Sequence, residues 1–182
     1  DQRRRGDRQH RSGGGGGCGG DSGGGVVRRY SFQSDLASAM RVLIVDGHSV
    51  IFAWPELRKL HGRRTAVGRE GLVKALTQYQ DATGTHVVVV FDGRGEKLNE
   101  QTEPGGIQVF YSAGGRSADE VIERLVARYA GQHDIVVATD DHLEQQTAIT
   151  FGASVMSSEV LRVQIDRANT ALAERIKDVK KR

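Results

Sequence analysis

Three uninterrupted apolar runs, each leading into acids, constrain this chain more than any other feature. They are Arg41-Val-Leu-Ile-Val-Asp46, Val87-Val-Val-Val-Phe-Asp92 and Asp134-Ile-Val-Val-Ala138, the last followed by Thr139-Asp140-Asp141. An apolar run without polar alternation predicts a strand covered on both faces, the kind found in parallel sheets. Ligands of open α/β sheets sit outside the carboxyl ends of such strands. If the three strands are neighbours about 4.8 Å apart, their terminal carboxylates meet in one small volume. Crowded carboxylates repel, so they need a proton, a basic partner or a cation.

Helical patterns fall between the runs. Leu72, Val73, Leu76 and Tyr79 recur at helical spacing from Arg69 to about Thr83, with Gly84 as the stop. Ser117-Ala-Asp-Glu120 has the form of a capping box and opens a helix whose apolar face is Val121, Ile122, Leu125, Val126 and Tyr129. Asp119 then occupies the first turn of that helix. Leu143–Phe151 reads as a short helix, Ile107–Tyr111 and Ala153–Met156 as short strands. A final helix, capped by Ser157 or Ser158, has Val160, Leu161, Ile165, Ala168, Leu172, Ile176 and Val179 on its apolar side. Pro55 argues against a helix through the loop after the first strand, where Trp54 and Leu57 are expected to form a lid over the sheet edge. Residues 93–106 are expected to form a long polar loop, and such loops are often functional. The alternation of strand and helix predicts helices on both faces of a mainly parallel sheet.

Composition divides the chain. Residues 1–40 hold 11 of the 24 glycines and 7 arginines against 4 aspartates, while residues 41–182 carry 19 basic and 19 acidic side chains. The expected organisation is therefore an Arg/Gly-rich disordered leader, 1–40, and one folded domain, 41–182. The leader suits an RNA-contacting arm, a targeting extension, a plain disordered flank, or sequence translated ahead of a start at Met40. The lone cysteine, Cys18, excludes an intrachain disulfide and a cysteine-based metal site. No apolar run approaches the roughly 20 residues that cross a bilayer. The expectation is a protein without a membrane partner, cytoplasmic, or organellar if the leader is a transit peptide.

The acids carry the chemistry. Asp46, Asp92, Asp119 and Asp141 form the expected catalytic set, with Asp46, Asp119 and Asp141 facing the metal and Asp92 a direct or water-mediated fourth ligand. Hard oxygen donors select Mg²⁺ or Mn²⁺. Ser49, Thr139 and Asp140 are candidates for aiming those ligands or a water. Arg94, Lys97 and Arg116, in the edge loops, are candidate phosphate contacts. No phosphate-cradling glycine loop follows the first strand, and Ser49 lacks an evident His–acid relay. Metal-assisted attack of water on a phosphodiester fits these residues best. Haloacid-dehalogenase-type phosphohydrolases also place acids after strands, but they want Asp-x-Asp where this chain has Asp46-Gly-His48.

Taken together, Val42-Leu-Ile-Val-Asp-Gly-His-Ser-Val-Ile51, Ala53-Trp-Pro-Glu-Leu57, Val88-Val-Val-Phe-Asp92, Ala118-Asp-Glu-Val-Ile-Glu123 and Val137-Ala-Thr-Asp-Asp-His-Leu-Glu-Gln145 resemble the YacP-like NYN domain family of the PIN-like nuclease superfamily. The resemblance covers roughly residues 41–165. It implies a PIN-like three-layer α/β/α sandwich and a divalent-metal-dependent endoribonuclease, with the family's acids falling on Asp46, Asp92, Asp119 and Asp141. RNA rather than DNA is an implication of the resemblance alone, as is ribosome association, since a studied bacterial branch is similar to a ribosome-associated mRNA-cleaving enzyme. The family commonly has Asp-Gly-Tyr-Asn where this chain has Asp46-Gly-His48-Ser49. His48 then either contacts RNA, stacking on a base or meeting a phosphate, or packs internally. The rival readings are an RNA- or ribosome-binding module that cleaves poorly and a small-molecule phosphohydrolase.

Overall fold

The computed structural model describes residues 39–95, 99–102, 106–113 and 116–180, without the side chains of 94, 99–102 and 180. The leader up to residue 38, Lys97 and the side chain of Arg94 therefore lie outside the described residues. From Arg41 onward the elements are β1 (Arg41–Asp46), α1 (Gly47–Ala53), α2 (Pro55–Arg63), α3 (Thr65–Thr83), β2 (His86–Gly95), β3 (Asn99–Thr102), β4 (Gln108–Ala113), α4 (Ala118–Tyr129), β5 (Asp134–Ala138), α5 (His142–Thr150), β6 (Ser154–Met156) and α6 (Ser158–Lys180).

The sheet runs β3-β4-β2-β1-β5-β6. Its five strands from β4 to β6 are parallel, and β3 pairs antiparallel with β4 at one edge. The apolar runs form its centre, with β1 between β2 and β5. Strand side chains alternate between faces, and both faces are covered. Leu43, Val45, Val87, Val89 and Phe91 join a core with Trp54, Leu57, Leu72, Leu76, Leu161 and Ile165 from the helices. The alternate residues Val42, Ile44, Val88 and Val90 are equally buried on the opposite face, where α4 lies against β1 and β2 and contributes buried Val121, Ile122, Leu125 and Val126. The result is the three-layer α/β/α sandwich expected from the sequence.

Three local expectations need correction. Helices do occupy the segment around Pro55, because proline sits at the first position of α2, where its missing N–H would have had no helical partner. The clash that proline imposes falls on Trp54 instead, whose extended backbone (φ −94°, ψ 114°) separates α1 from α2. The 93–106 segment is not all loop. β2 continues through Gly95, and Asn99-Glu-Gln-Thr102 adds an edge strand by backbone pairing that needs no apolar pattern. Of the apolar residues expected on α6, only Leu161 and Ile165 are buried; Val160 is exposed in the first turn, and Leu172, Ile176 and Val179 are exposed where the helix runs on past the layer it packs against.

Two anchors tie α6 to the site edge. The Trp54 indole Nε1 donates to the Ser158 carbonyl at 3.0 Å, and the Ser158 N–H donates to the Asp140 carboxylate at 2.8 Å. Ser157 caps the helix, its hydroxyl accepting from Val160 N–H at 3.2 Å.

Candidate metal centre

The strand order reverses at β1: the chain moves outward through β2 and β4, then returns to place β5 on the other side. A crevice forms outside the carboxyl ends at such a switch point. Asp46 closes β1 there. Its carboxylate caps α1, accepting from His48 N–H at 3.0 Å and Ser49 N–H at 3.3 Å. The turn is tight enough that a Cβ on Gly47 would overlap the buried Phe91 ring. Asp46 is only 8% exposed, and burial, only partly offset by those two amides, raises its pKa from 3.8 to about 6, with Asp119 and Asp92 adding to the rise.

Asp119 arrives on α4, in the position the capping box dictates. The Ser117 hydroxyl accepts from Glu120 N–H at 3.3 Å, and Asp92 Oδ1 accepts from Ala118 N–H at 2.8 Å. Asp92 thus grips the first residue of the helix that presents Asp119. Its other oxygen lies 3.2 Å from His48 Nδ1. The Asp119 pKa is raised, first by desolvation and then by Asp141 and Asp92.

The group that sequence reasoning missed is Glu144. Asp46, Asp119 and Glu144 offer carboxylate oxygens that all lie within 4.8 Å of one another. Glu144 is 6% exposed, and among the described residues its oxygens make no well-formed hydrogen bond, the Thr139 hydroxyl being a weak partner nearby. Burial is the main reason its pKa rises from 4.5 to about 8. The nearby Thr139 hydroxyl counters the shift in part, and Asp46, Asp119 and Asp141 reinforce it. A buried, weakly partnered carboxylate beside two others is costly to hold as an anion, and a cation joining it would offset that cost. Three hard oxygen donors within 4.8 Å of one another are the donor set that would hold a hard divalent ion.

Asp141 stands beside this group, near enough to raise the pKa of both Asp119 and Glu144. Its Oδ1 caps α5, accepting from Leu143 N–H at 2.8 Å and Glu144 N–H at 3.2 Å. In this geometry Asp141 orients the first turn of α5 and so aims Glu144. The sequence does hold a trace of this, since Asp141-His-Leu-Glu144 has the spacing of a capping box. In that motif the glutamate folds back on its own helix end, whereas here it faces the crevice.

The residues expected to aim the ligands brace the β5–α5 loop. Ser49 Oγ accepts from Asp140 N–H at 2.8 Å, joining α1 to that loop. The buried Thr139 hydroxyl accepts from Asp141 N–H at 3.1 Å, and Asp140 reaches onward to Ser158. Arg116 is exposed at the turn before α4. His48 is half-buried, its pKa lowered mainly by burial.

Acids from β1, α4 and α5 gathered at the switch point of a mainly parallel α/β/α sandwich define a PIN-like protein with a candidate divalent-metal centre. The chain belongs to the YacP-like NYN domain family, part of the PIN-like nuclease superfamily: the profile of the YacP-like NYN domain matches residues 43–182. It is 30% identical over 142 residues to the uncharacterised protein YacP of Bacillus subtilis (strain 168), covering 77% of this chain and 84% of that one. The crystal structure of Rae1 (YacP) from Bacillus subtilis is similar at 30% identity and a TM-score of 0.66, covering 78% of this chain and 83% of that one. A mutant form of the same protein gives a TM-score of 0.66 at 28% identity, with 78% and 84% covered.

Proposed function

We propose that this chain is a divalent-metal-dependent endoribonuclease. The observation that carries the reading is the Asp46–Asp119–Glu144 cluster, in which a buried carboxylate makes no well-formed hydrogen bond among the described residues. Such a group is costly to keep as an anion, and a divalent cation held by the three acids would offset its charge. RNA as substrate rests on membership of the family, as does cleavage on the ribosome.

Asp46, Asp119 and Glu144 would hold the ion, with Asp141 and Asp92 close by to add charge or orient a bound water. A divalent ion so held lowers the pKa of water and offsets charge on a phosphodiester. The chain supplies position. Asp92 fixes the start of α4 and thereby Asp119, while Asp141 fixes α5 and thereby Glu144. Ser49, Thr139 and Asp140 hold the β5–α5 loop against α1 and α6, which keeps the acids at the geometry the reaction needs. Arg116, Arg94 and Lys97 are the proposed phosphate contacts, and His48 a contact to the RNA.

Incubation of labelled single-stranded and structured RNA with Mg²⁺ or Mn²⁺ tests the proposal. Cleavage is expected with the wild-type chain and is expected to vanish in Asp46→Asn and Glu144→Gln, with circular dichroism unchanged. Binding without cleavage under either metal would favour an RNA- or ribosome-binding module, and turnover of small phosphomonoesters alone would favour a phosphohydrolase.

A further inference from the structure

Beside the acids lies an exposed aromatic ring that the proposed chemistry does not use. Phe52, on α1, is 52% exposed. It is stacked on His48 (centroids 6.3 Å apart, planes at 26°), and His61 of α2 meets it edge-on at 5.4 Å. His61 also meets His48 edge-on at 5.8 Å, and His48 rests against the buried Phe91. Phe52 is therefore held in place from below and from one side while its outer surface faces solvent. Phe52 lies six residues beyond Asp46, about 9 Å along the helix axis. His48 is in contact with both Phe52 and Asp92, so the ring is continuous with the metal centre.

The helix that carries His61 is basic. Arg58, Lys59, Arg63 and Arg64 on and just after α2 are all exposed, and none of them makes an ion pair among the described residues. Arg58 is three residues before His61 on α2, the spacing that brings side chains together on a helix, and Arg64 follows the helix end in extended backbone. An immobilised aromatic face with unpaired cations alongside is the combination that binds single-stranded nucleic acid: bases stack, and phosphates meet the charges.

Taking the nuclease reading as its basis, we propose that Phe52, backed by His48 and His61, is a stacking platform for one base of a single-stranded RNA. Arg58 and Arg64 contact the phosphates of the same segment, so the strand crosses α1–α2 on its way to the acids. The platform selects unpaired RNA over duplex, because a base must leave its stack to lie on Phe52. It is indifferent to which base that is, since every base has a π face.

Binding of the full chain to a single-stranded oligoribonucleotide carrying 2-aminopurine at successive positions, in EDTA, isolates this step from cleavage. The wild-type chain and Phe52→Trp are expected to quench one position strongly. Phe52→Leu, which keeps an apolar side chain at an exposed site, is expected to lose that quench and to weaken binding by roughly 5- to 150-fold. Arg58→Ala and Arg64→Ala are each expected to lower the slope of log affinity against log salt by about 0.7. Equal affinity and equal quenching in Phe52→Leu would overturn the platform even if the wild-type chain cleaves RNA. Quenching by the wild-type chain, lost in Phe52→Leu, would support the platform even if no metal produced cleavage, and in that case the nuclease reading alone would fall.

Discussion

Glu144 is the residue on which the electrostatics turn. Its carboxyl keeps a proton in the folded chain up to about pH 8, whereas an unfolded glutamate gives it up near 4.5. Asp46 behaves likewise between 3.8 and about 6. In both windows the unfolded chain binds fewer protons, so without metal stability is highest at low pH within the window. It falls as pH rises, by about 1.4 kcal/mol per unit of displacement. Denaturant melts in EDTA should therefore show the metal-free chain losing stability from pH 5 to pH 8. Glu144→Gln should flatten the upper part of that trend, being near neutral at pH 5 and more stable than wild type by about 1–2 kcal/mol at pH 8.5. The gain is smaller than the full shift because a buried amide also wants partners. The same variant should bind Mn²⁺ far more weakly in calorimetry. Wild-type Mn²⁺ affinity should rise between pH 6 and 8 as both acids give up their protons to the ion.

At the level of elements, the β1–α1 junction has the least freedom. Asp46 must end the strand, cap the helix and face the crevice within a few residues, and Gly47 makes room by letting the start of α1 sit against Phe91. Gly47→Ala forces a buried ring to move and should cost about 1–3 kcal/mol in urea melts. Because Asp46 is the adjacent residue, the substitution should also weaken Mn²⁺ binding. Asp46→Asn is a different experiment. Asparagine caps helices about as well as aspartate and carries no buried charge, so the metal-free melting temperature at pH 7 should be equal to or above that of the wild type while metal binding is lost. A second brace runs from Ser49 through Asp140 to Ser158. Asp140→Ala removes the acceptor at the start of α6 and should cost about 1 kcal/mol by melting.

On the scale of the molecule, metal binding and stability are linked. An ion that binds only the folded chain stabilises it by about 2.7 kcal/mol at one hundred times its dissociation constant. Mn²⁺ should raise the melting temperature at pH 7.5, and that increment should be absent in Glu144→Gln. Every acid of the centre falls between residues 46 and 144, in a domain whose basic and acidic side chains balance, while the +3 formal charge resides in the first 40 residues. Deleting residues 1–38 should therefore leave both the Mn²⁺ increment and the metal-free melting temperature unchanged.

Strands, helices and two of the three clustered acids, Asp46 and Asp119, were readable from local pattern. Apolar runs ending in acids announce buried parallel strands, and Ser117-Ala-Asp-Glu120 announces a helix with Asp119 in its first turn, because both signals reside within a few consecutive residues. Pro55 misled for the same reason: its effect depends on whether it stands inside a helix or at its first position, and only the packing of Trp54 and Leu57 into the core decides that. Glu144 was out of reach. Its helix is short, its spacing from Asp141 reads as an ordinary cap, and nothing in its neighbours marks it as buried. Its role depends on α5 packing beside α4 across the end of β1, which brings together side chains almost 100 residues apart. The chain's order of residues by itself determined that acids would gather at one edge of the sheet. Which of them share a volume, and which is left buried with only a weak partner, was decided by the tertiary structure, because desolvation and charge proximity are properties of distance in space.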